Sequence, residues 1–226
     1  MHGRASQPGS RASQPGGHNR NKTTKMKYKG KYNTGSSRLK KWNYAGKGTY
    51  FITMVTQNRR CIFGSIENGM MQDNEWGKIT RREWYRSFEI RKEISMDAFV
   101  LMPNHLHAVI TIIPPAVTKE KAVTSPEVRA KASPAFIRKP KSLSSFVAGY
   151  KSSVTTQINN WIDRNISPML FPELKKYNKE NRLWQPNYHD HIVRTPYEYH
   201  RILRYIENNP KKWEEDRLYD KYHLSV

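Results

Sequence analysis

The sequence lacks the features of a secreted or membrane-spanning protein. A single cysteine, Cys61, stands among 226 residues, so no disulfide can form within the chain, and this usage is typical of a reducing compartment. No apolar run approaches the ~18 residues that a membrane-spanning helix needs. The N-terminus also lacks the apolar segment of a secretory signal. We therefore expect a cytoplasmic protein with no membrane partner.

Acidic residues are scarce, above all in the first third of the chain. Asp and Glu number 19 against 40 Lys and Arg, which gives a formal net charge of +21. No acidic residue precedes Glu67, whereas residues 1–66 hold 14 Lys and Arg. Such a charge attracts polyanions, so nucleic acid is the first candidate partner and a nucleoid-associated location is expected. A ribosomal or membrane-surface protein would fit the charge equally well.

Hydrophobic residues form only 36% of the sequence, a share that indicates extensions outside the core. Residues 1–46 are predicted to form a basic, disordered N-terminal arm, because they contain too little apolar surface to offset the entropy of ordering. This arm either clamps phosphates or is simply solvated. Residues 114–141, rich in Pro and Lys, are predicted as an exposed loop insertion, and residues 214–226 as a C-terminal tail. One folded domain is expected over residues 47–213.

Strand and helix patterns alternate within that domain. Tyr50–Thr56 is β-branched and aromatic and Asp97–Met102 is nearly continuously apolar, as is typical of strands. The other predicted elements are a helix at Trp76–Lys92, a strand at His105–Ile113, a helix at Leu143–Ile162, a strand at His189–Arg194 and a helix at Pro196–Asn208. The first six elements predict an α+β fold, a ferredoxin-like split βαβ sandwich with a four-stranded antiparallel sheet. This fold hosts many functions.

The strand after Pro103 and Asn104 carries a candidate metal site. Because side chains alternate between faces, His105 and His107 share one face. The opposite face is apolar and is predicted as core; it consists of Leu106, Ala108, Ile110 and Ile112. Two such imidazoles lie about 6.5–7 Å apart at Cα and can share an ion such as Mn, Zn or Fe. A third protein ligand is required, and an isolated His-x-His is more often a pair of half-exposed strand residues.

The last helix carries a second candidate group. Thr195 and Glu198 are spaced as a capping box with Pro196 at the first helical position. Tyr205 lies beside the apolar stripe of this helix, and Asn209 follows at i+4 on the same flank. A phenol and an amide oxygen therefore emerge side by side at the edge of the buried face. Taken alone, a boundary tyrosine and a C-terminal cap would explain them.

Together these segments resemble a known family. The run from Pro103 to His107 is similar to the His-hydrophobic-His (HUH) motif of single-tyrosine transposases, and the run from Tyr205 to Pro210 is similar to their nucleophile helix. The likeness is greatest to the REP-associated tyrosine transposases, relatives of the smallest bacterial insertion-sequence transposases. It extends from about Tyr50 to Trp213 and includes Leu183–Tyr188, similar to a segment before the last strand.

The resemblance implies an endonuclease and strand transferase that acts on single-stranded or hairpin DNA, with a palindromic repeat as target. His105 and His107 would bind a divalent metal, Mg²⁺ or Mn²⁺, with Asn209 as third ligand. Tyr205 would attack a phosphodiester to leave a 5′-phosphotyrosine link and a free 3′-hydroxyl. Both a monomer and a homodimer remain open. A nitrogen-containing ligand set favours Mn²⁺.

Further residues leave alternatives open. His189 and His191 form a second His-x-His that either orients the metal ligands or packs. Tyr150 is a rival nucleophile beside Lys151, although its apolar helical stripe favours a core tyrosine. Candidates for nucleic-acid binding, by phosphate contact or base stacking, are Arg59, Arg60, Lys151, Trp184 and Tyr188. A non-catalytic hairpin-DNA- or RNA-binding protein would also fit, as would a replication initiator or relaxase, although relaxases commonly carry a third metal-binding His.

Overall fold

The structure, a computed structural model, describes residues 27–28, 32–33, 39, 42–113, 141–171 and 174–219. The strands are β1 (Lys27–Tyr28), β2 (Tyr32–Asn33), β3 (Gly48–Val55), β4 (Gly64–Glu67), β5 (Met70–Asp73), β6 (Ile94–Met102), β7 (His105–Ile112) and β8 (His189–Val193). The helices are α1 (Glu75–Ile90), α2 (Leu143–Asn165) and α3 (Pro196–Asn208), with 3-10 turns at Gln57–Arg59 and Pro210–Glu215. Within the described ranges, no helix has the length and apolarity needed to cross a membrane.

The chain divides into two compact units, Met1–Ser36 and Ser37–Val226. In the first unit, the described residues form the short antiparallel pair β1 and β2. Most of the predicted disordered arm lies outside the described residues, as does the predicted loop insertion up to residue 140.

The second unit is built on a four-stranded sheet in the order β6-β7-β3-β8. Every neighbouring pair in it is antiparallel. The hairpin β4–β5 and then α1 lie between β3 and β6 along the chain, and α2 lies between β7 and β8. This is the order of a ferredoxin-like split βαβ sandwich, so the fold class predicted from the sequence is confirmed.

One face of the sheet packs against α1 and α2 and forms the main core. The predicted apolar face of β7 lies there, since Leu106, Ala108, Ile110 and Ile112 are fully buried. Trp84 of α1 stacks on Phe99 at 4.8 Å between ring centroids and meets Tyr150 of α2 edge-on at 5.1 Å. Helices α1 and α2 thus cover this face, and α3 packs on the other.

Helix α3 covers the second face through a smaller apolar cluster. Ile202 and Ile206 pack on Val109 of β7, with Phe51 of β3 beside them. The helix begins as its cap residues predict, because Thr195 Oγ1 accepts a hydrogen bond from the Glu198 amide at 3.2 Å. The Glu198 carboxylate accepts in return from the Arg194 amide at 3.0 Å, one residue before the cap. These contacts fix the start of the helix that carries Tyr205.

Two features differ from the sequence interpretation. The hairpin β4–β5 was not predicted, although Asn68 and Gly69, with φ of 52° and 71°, form the Asn-Gly turn that marks a two-residue hairpin. The folded chain also continues past Trp213, where a C-terminal tail was predicted to begin. Residues 214–219 remain ordered beside α3, and Asp216 contacts side chains of the site below.

Candidate active site

His105 and His107 lie on the face of β7 that α3 covers. Both are buried, with 0% and 4% of their surface exposed. Their Nε2 atoms lie 3.1 Å apart. The two imidazoles therefore converge on one point, as the strand alternation predicted, but inside the protein rather than at its surface.

Asn104 sets the tautomer of His105. Its Nδ2 donates to the carbonyl oxygens of Arg59 at 3.0 Å and Leu218 at 2.9 Å. Its Oδ1 therefore faces the ring and lies 2.7 Å from His105 Nδ1. The proton of the neutral ring is thus on Nδ1, and Nε2 keeps its lone pair.

Thr53 of β3 performs the same function for His107. Its Oγ1 lies 2.7 Å from His107 Nδ1, where it can accept a hydrogen bond from that nitrogen. Burial lowers the pKa of His105 to about 3, and Asn209, which can accept a hydrogen bond from the protonated ring, offsets part of this lowering. Burial and the neighbouring His105 hold the pKa of His107 well below its usual value. Both rings are therefore neutral near pH 7, the form in which imidazole binds metals.

Asn209, directly after α3, adds a side-chain oxygen beside the His105 ring. It is buried, and its Nδ2 donates to Asp216 Oδ2 at 2.9 Å. Its Oδ1 is also buried and has no hydrogen-bond partner among the described residues. A buried acceptor left without a donor is unfavourable, and a cation would satisfy it together with the two histidine lone pairs. This donor set fits a divalent metal.

Asp216 stands on the open side of this group. One ligand atom from each of His105, His107 and Asp216 lies within 4.8 Å of the others. The sequence interpretation missed this residue, because its position 11 residues after Tyr205, beyond a proline and a 3-10 turn, has no regular spacing. It also gave Asn104 no role of its own within the run from Pro103 to His107.

Tyr205 lies at the rim of the same group. Its hydroxyl is 3.1 Å from His107 Nε2 and donates to Asp216 Oδ2 at 3.2 Å. The side chain is 45% exposed, so a ligand can reach it. Burial and the Asp216 carboxylate raise the pKa of Tyr205 to about 12. The phenol is therefore protonated at neutral pH and needs a nearby base or cation to act as a nucleophile.

Three of the five residues predicted to contact nucleic acid have structural roles instead. Trp184 and Tyr188 are 5% and 9% exposed and belong to the core, which argues against the predicted base stacking. Lys151 Nζ donates to the carbonyls of Gln185 and Asn187 at 2.8 Å each. Burial lowers its pKa to about 7. Lys151 thus anchors to α2 the segment that precedes β8. This structural role argues against a phosphate contact.

The two arginines have different environments. Arg59 is exposed and donates to the Arg217 carbonyl at 3.4 Å, beside the candidate site. Arg60 is partly buried and lies 5.9 Å from the centre of the Tyr177 ring. Of these two arginines, Arg59 is the one whose side chain is open to a ligand beside the candidate site.

The remaining alternatives have structural explanations. His191 donates to the Glu198 carboxylate, so it ties β8 to α3 rather than orienting the histidine pair. His189 is exposed and is the register partner of Thr53. Tyr150 is 2% exposed and donates to the Thr80 carbonyl at 3.1 Å, as expected of a core tyrosine.

Comparison with known proteins gives a close sequence relative. An uncharacterized protein of Haemophilus influenzae is 36% identical over 194 residues, which span 84% of this chain and 97% of the relative. The chain belongs to the family of this Haemophilus influenzae protein. No protein-family model matches the sequence. Among solved structures, the chain is similar to a REP-associated tyrosine transposase bound to a REP hairpin, with a TM-score of 0.47, 19% identity and coverage of 78% of this chain and 74% of that one.

Proposed function

We propose that this family consists of transposase-like enzymes of the REP-associated tyrosine type. The protein would be a metal-dependent endonuclease and strand transferase that uses Tyr205 as its nucleophile. The main support is the distance of 3.1 Å between the Tyr205 hydroxyl and Nε2 of His107. A half-exposed phenol thus lies beside a buried pair of neutral imidazoles that comes from a distant part of the sequence.

The residues proposed to hold the metal are His105, His107 and Asn209, through two Nε2 atoms and Oδ1. The orphaned Asn209 Oδ1 supports this set. Mixed nitrogen and oxygen ligands favour Mn²⁺ over Mg²⁺, which prefers oxygen. When bound, such an ion polarises a phosphoryl oxygen and neutralises charge in the transition state.

The protein side chains would carry out a reversible phosphoryl transfer. The Tyr205 oxygen attacks phosphorus as the bond from phosphorus to the 3′-oxygen breaks. The departing oxygen takes up a proton from water, which leaves a 5′-phosphotyrosine and a free 3′-hydroxyl. Asp216 Oδ2 already accepts the phenol hydrogen bond at 3.2 Å, so we assign it as the proton acceptor. Attack by the 3′-hydroxyl reverses the step, and rejoining therefore needs no ATP.

Single-stranded or hairpin DNA is the proposed partner. The net charge of +21 favours a polyanionic ligand, and the resemblance to REP-associated tyrosine transposases implies a palindromic repeat. A covalent intermediate further requires a strand whose phosphate can reach a side chain half exposed at the rim of the site. An unpaired strand next to a hairpin meets this requirement.

Substitution of the nucleophile tests the proposal. Single-stranded oligonucleotides that cover palindromic repeats near the coding region are labelled at the 3′ end, because that part of the strand stays on the tyrosine. In Mn²⁺ buffer, we expect the wild type to form a covalent adduct on denaturing gels. Tyr205→Phe should lose the adduct and still bind the DNA. Tyr197→Phe, an exposed tyrosine on the same helix, is the matched control and should keep both.

Two further arms address the metal and the competing function. EDTA and His105→Ala should each prevent adduct formation. An adduct with Tyr205→Phe would contradict the nucleophile, and an adduct in EDTA would contradict the metal. A wild type that binds these hairpins without any adduct would instead support a non-catalytic hairpin-binding protein.

A further inference from the structure

We propose that a groove along α3, beside Tyr205, binds backbone phosphates of the DNA strand on one side of the scissile phosphate. Its cationic ligands are Arg201, Arg204 and Lys212. The groove has a volume of about 450 Å³ and is lined by these residues together with Tyr205 and Asn208. The inference rests on the proposed function, because it takes the strand attacked by Tyr205 as the ligand.

The helical geometry puts the two arginines in line with the nucleophile. Arg201, Arg204, Tyr205 and Asn208 are spaced i, i+3, i+4 and i+7, so they form one row along a side of α3. Ile202 and Ile206 hold the opposite side against the sheet, which fixes the row toward solvent. One helical turn is about 5.4 Å. Arg201 and Arg204 therefore lie about one turn or less from the phenol along the helix axis.

The charges of the groove are available to a ligand. Among the described residues, neither Arg201 nor Arg204 forms an ion pair. Lys212 pairs weakly with Glu215, at 3.9 Å and with both side chains largely exposed. Asp216, the other carboxylate of the lining, already accepts hydrogen bonds from Tyr205 and Asn209. The α3 side of the groove, with Arg201 and Arg204, is thus cationic.

The chemistry favours phosphate over bases. A guanidinium offers a planar fork of donors that matches two phosphate oxygens, and two such groups lie in the row. Tyr205 is the only aromatic side chain in the lining, so successive bases find no stacking surface among the described residues there. A strand whose phosphate meets the Tyr205 hydroxyl must continue along the surface, and this groove neutralises its next phosphates.

The salt dependence of DNA binding tests the groove directly. All variants are made in the Tyr205→Phe background, and binding to a fluorescein-labelled oligothymidylate is measured by anisotropy over a series of KCl concentrations. Each lost phosphate contact on single-stranded DNA lowers the slope of log affinity against log salt by about 0.7. We expect Arg201→Ala/Arg204→Ala to lower the slope by about 1.4. Arg201→Lys/Arg204→Lys should restore it.

The matched control removes equal charge from the other layer of the fold. Arg86→Ala/Arg164→Ala changes arginines exposed on α1 and α2 and should leave the slope within error of the parent. Alanine favours helix at all four positions, and circular dichroism verifies the fold. An unchanged slope in the Arg201→Ala/Arg204→Ala variant, or an equal loss in the control, would overturn the proposal. This binding assay needs no cleavage. A failed adduct assay would therefore contradict the proposed function but not the phosphate groove, and an unchanged salt slope would contradict the groove but not the proposed function.

Discussion

Asn104 connects three separate parts of the candidate site through one side chain. It holds His105 Nδ1 through its oxygen and binds the carbonyls of Arg59 and Leu218 through its nitrogen. Its side chain is fully buried, so water cannot readily take the place of a lost partner. Asn104 is therefore a positioning residue, which keeps the lone pair of His105 directed toward His107.

Replacement of Asn104 should weaken metal binding. Loss of a partner that orients a ligating histidine typically costs 10–100-fold in metal affinity, so we expect Asn104→Ala to raise the Kd for Mn²⁺ by about that factor. Isothermal titration calorimetry measures it. Asn165→Ala, which removes a comparable side-chain bond to the Trp161 carbonyl on α2, should not change the Kd. A folded Asn104→Ala protein with unaltered Mn²⁺ affinity would refute the positioning role.

The buried imidazoles also predict how stability depends on pH. Burial lowers the pKa of His105 to about 3 in the folded protein, whereas a histidine of the unfolded chain has a pKa of about 6.5. The unfolded state therefore binds more protons as the pH falls below that value. In EDTA, the free energy of unfolding should decrease by up to about 1.4 kcal/mol per pH unit for each histidine.

Urea denaturation at a series of pH values below neutrality measures this slope. The direction for His107 is the same, since its pKa is also depressed by burial. His105→Gln should remove roughly half of the decrease, because one of two titrating groups is lost. A slope that this variant leaves intact would locate the acid sensitivity elsewhere.

At the scale of elements, α3 is held by fewer apolar side chains than the helices of the main core. Its contacts to the sheet centre on Ile202, Ile206 and Val109. The same helix carries Tyr205 and leads into Asn209, so the position of both groups depends on this small cluster. In α3, packing and the proposed chemistry are thus coupled.

Truncation of Ile206 should distinguish the positioning of Tyr205 by this cluster from its contribution to overall stability. Ile206→Ala and Ile158→Ala each remove a buried isoleucine side chain and should each cost about 2–5 kcal/mol, as measured by urea unfolding. At a temperature where both variants are folded, only Ile206→Ala should slow adduct formation, since Ile158 packs in the main core. Equal rates for the two variants would show that the cluster does not position the nucleophile.

At the scale of the whole molecule, the fold places the main core and the candidate active site on opposite faces of one sheet. The apolar face meets α1 and α2, while the other face carries both histidines, Thr53 and α3. The charge is also unevenly distributed along the sequence, since residues 1–66 hold 14 Lys and Arg and no Asp or Glu. A polyanion attracted by such a chain meets a preformed polar site on only one face of the described sheet.

Several parts of this arrangement were predictable because they depend on local periodicity. The two-residue repeat of β7 predicted which side chains are core and that His105 and His107 share a face. The capping residues and apolar stripe predicted α3 with its observed bounds. Element order alone then predicted the ferredoxin-like fold. The hairpin β4–β5 was also within reach, because its Asn-Gly turn is a local signal.

The sequence by itself determined the strand faces, the helix that carries Tyr205 and the excess of positive charge, since each depends on neighbours along the chain. Only the tertiary structure decided that both histidines are buried, that Asn104 and Thr53 orient them, and that Asp216 reaches Tyr205 and Asn209. It also showed that Lys151, Trp184 and Tyr188, predicted to contact nucleic acid, have structural roles instead. These contacts join residues far apart in sequence, where no periodic pattern specifies the pairing.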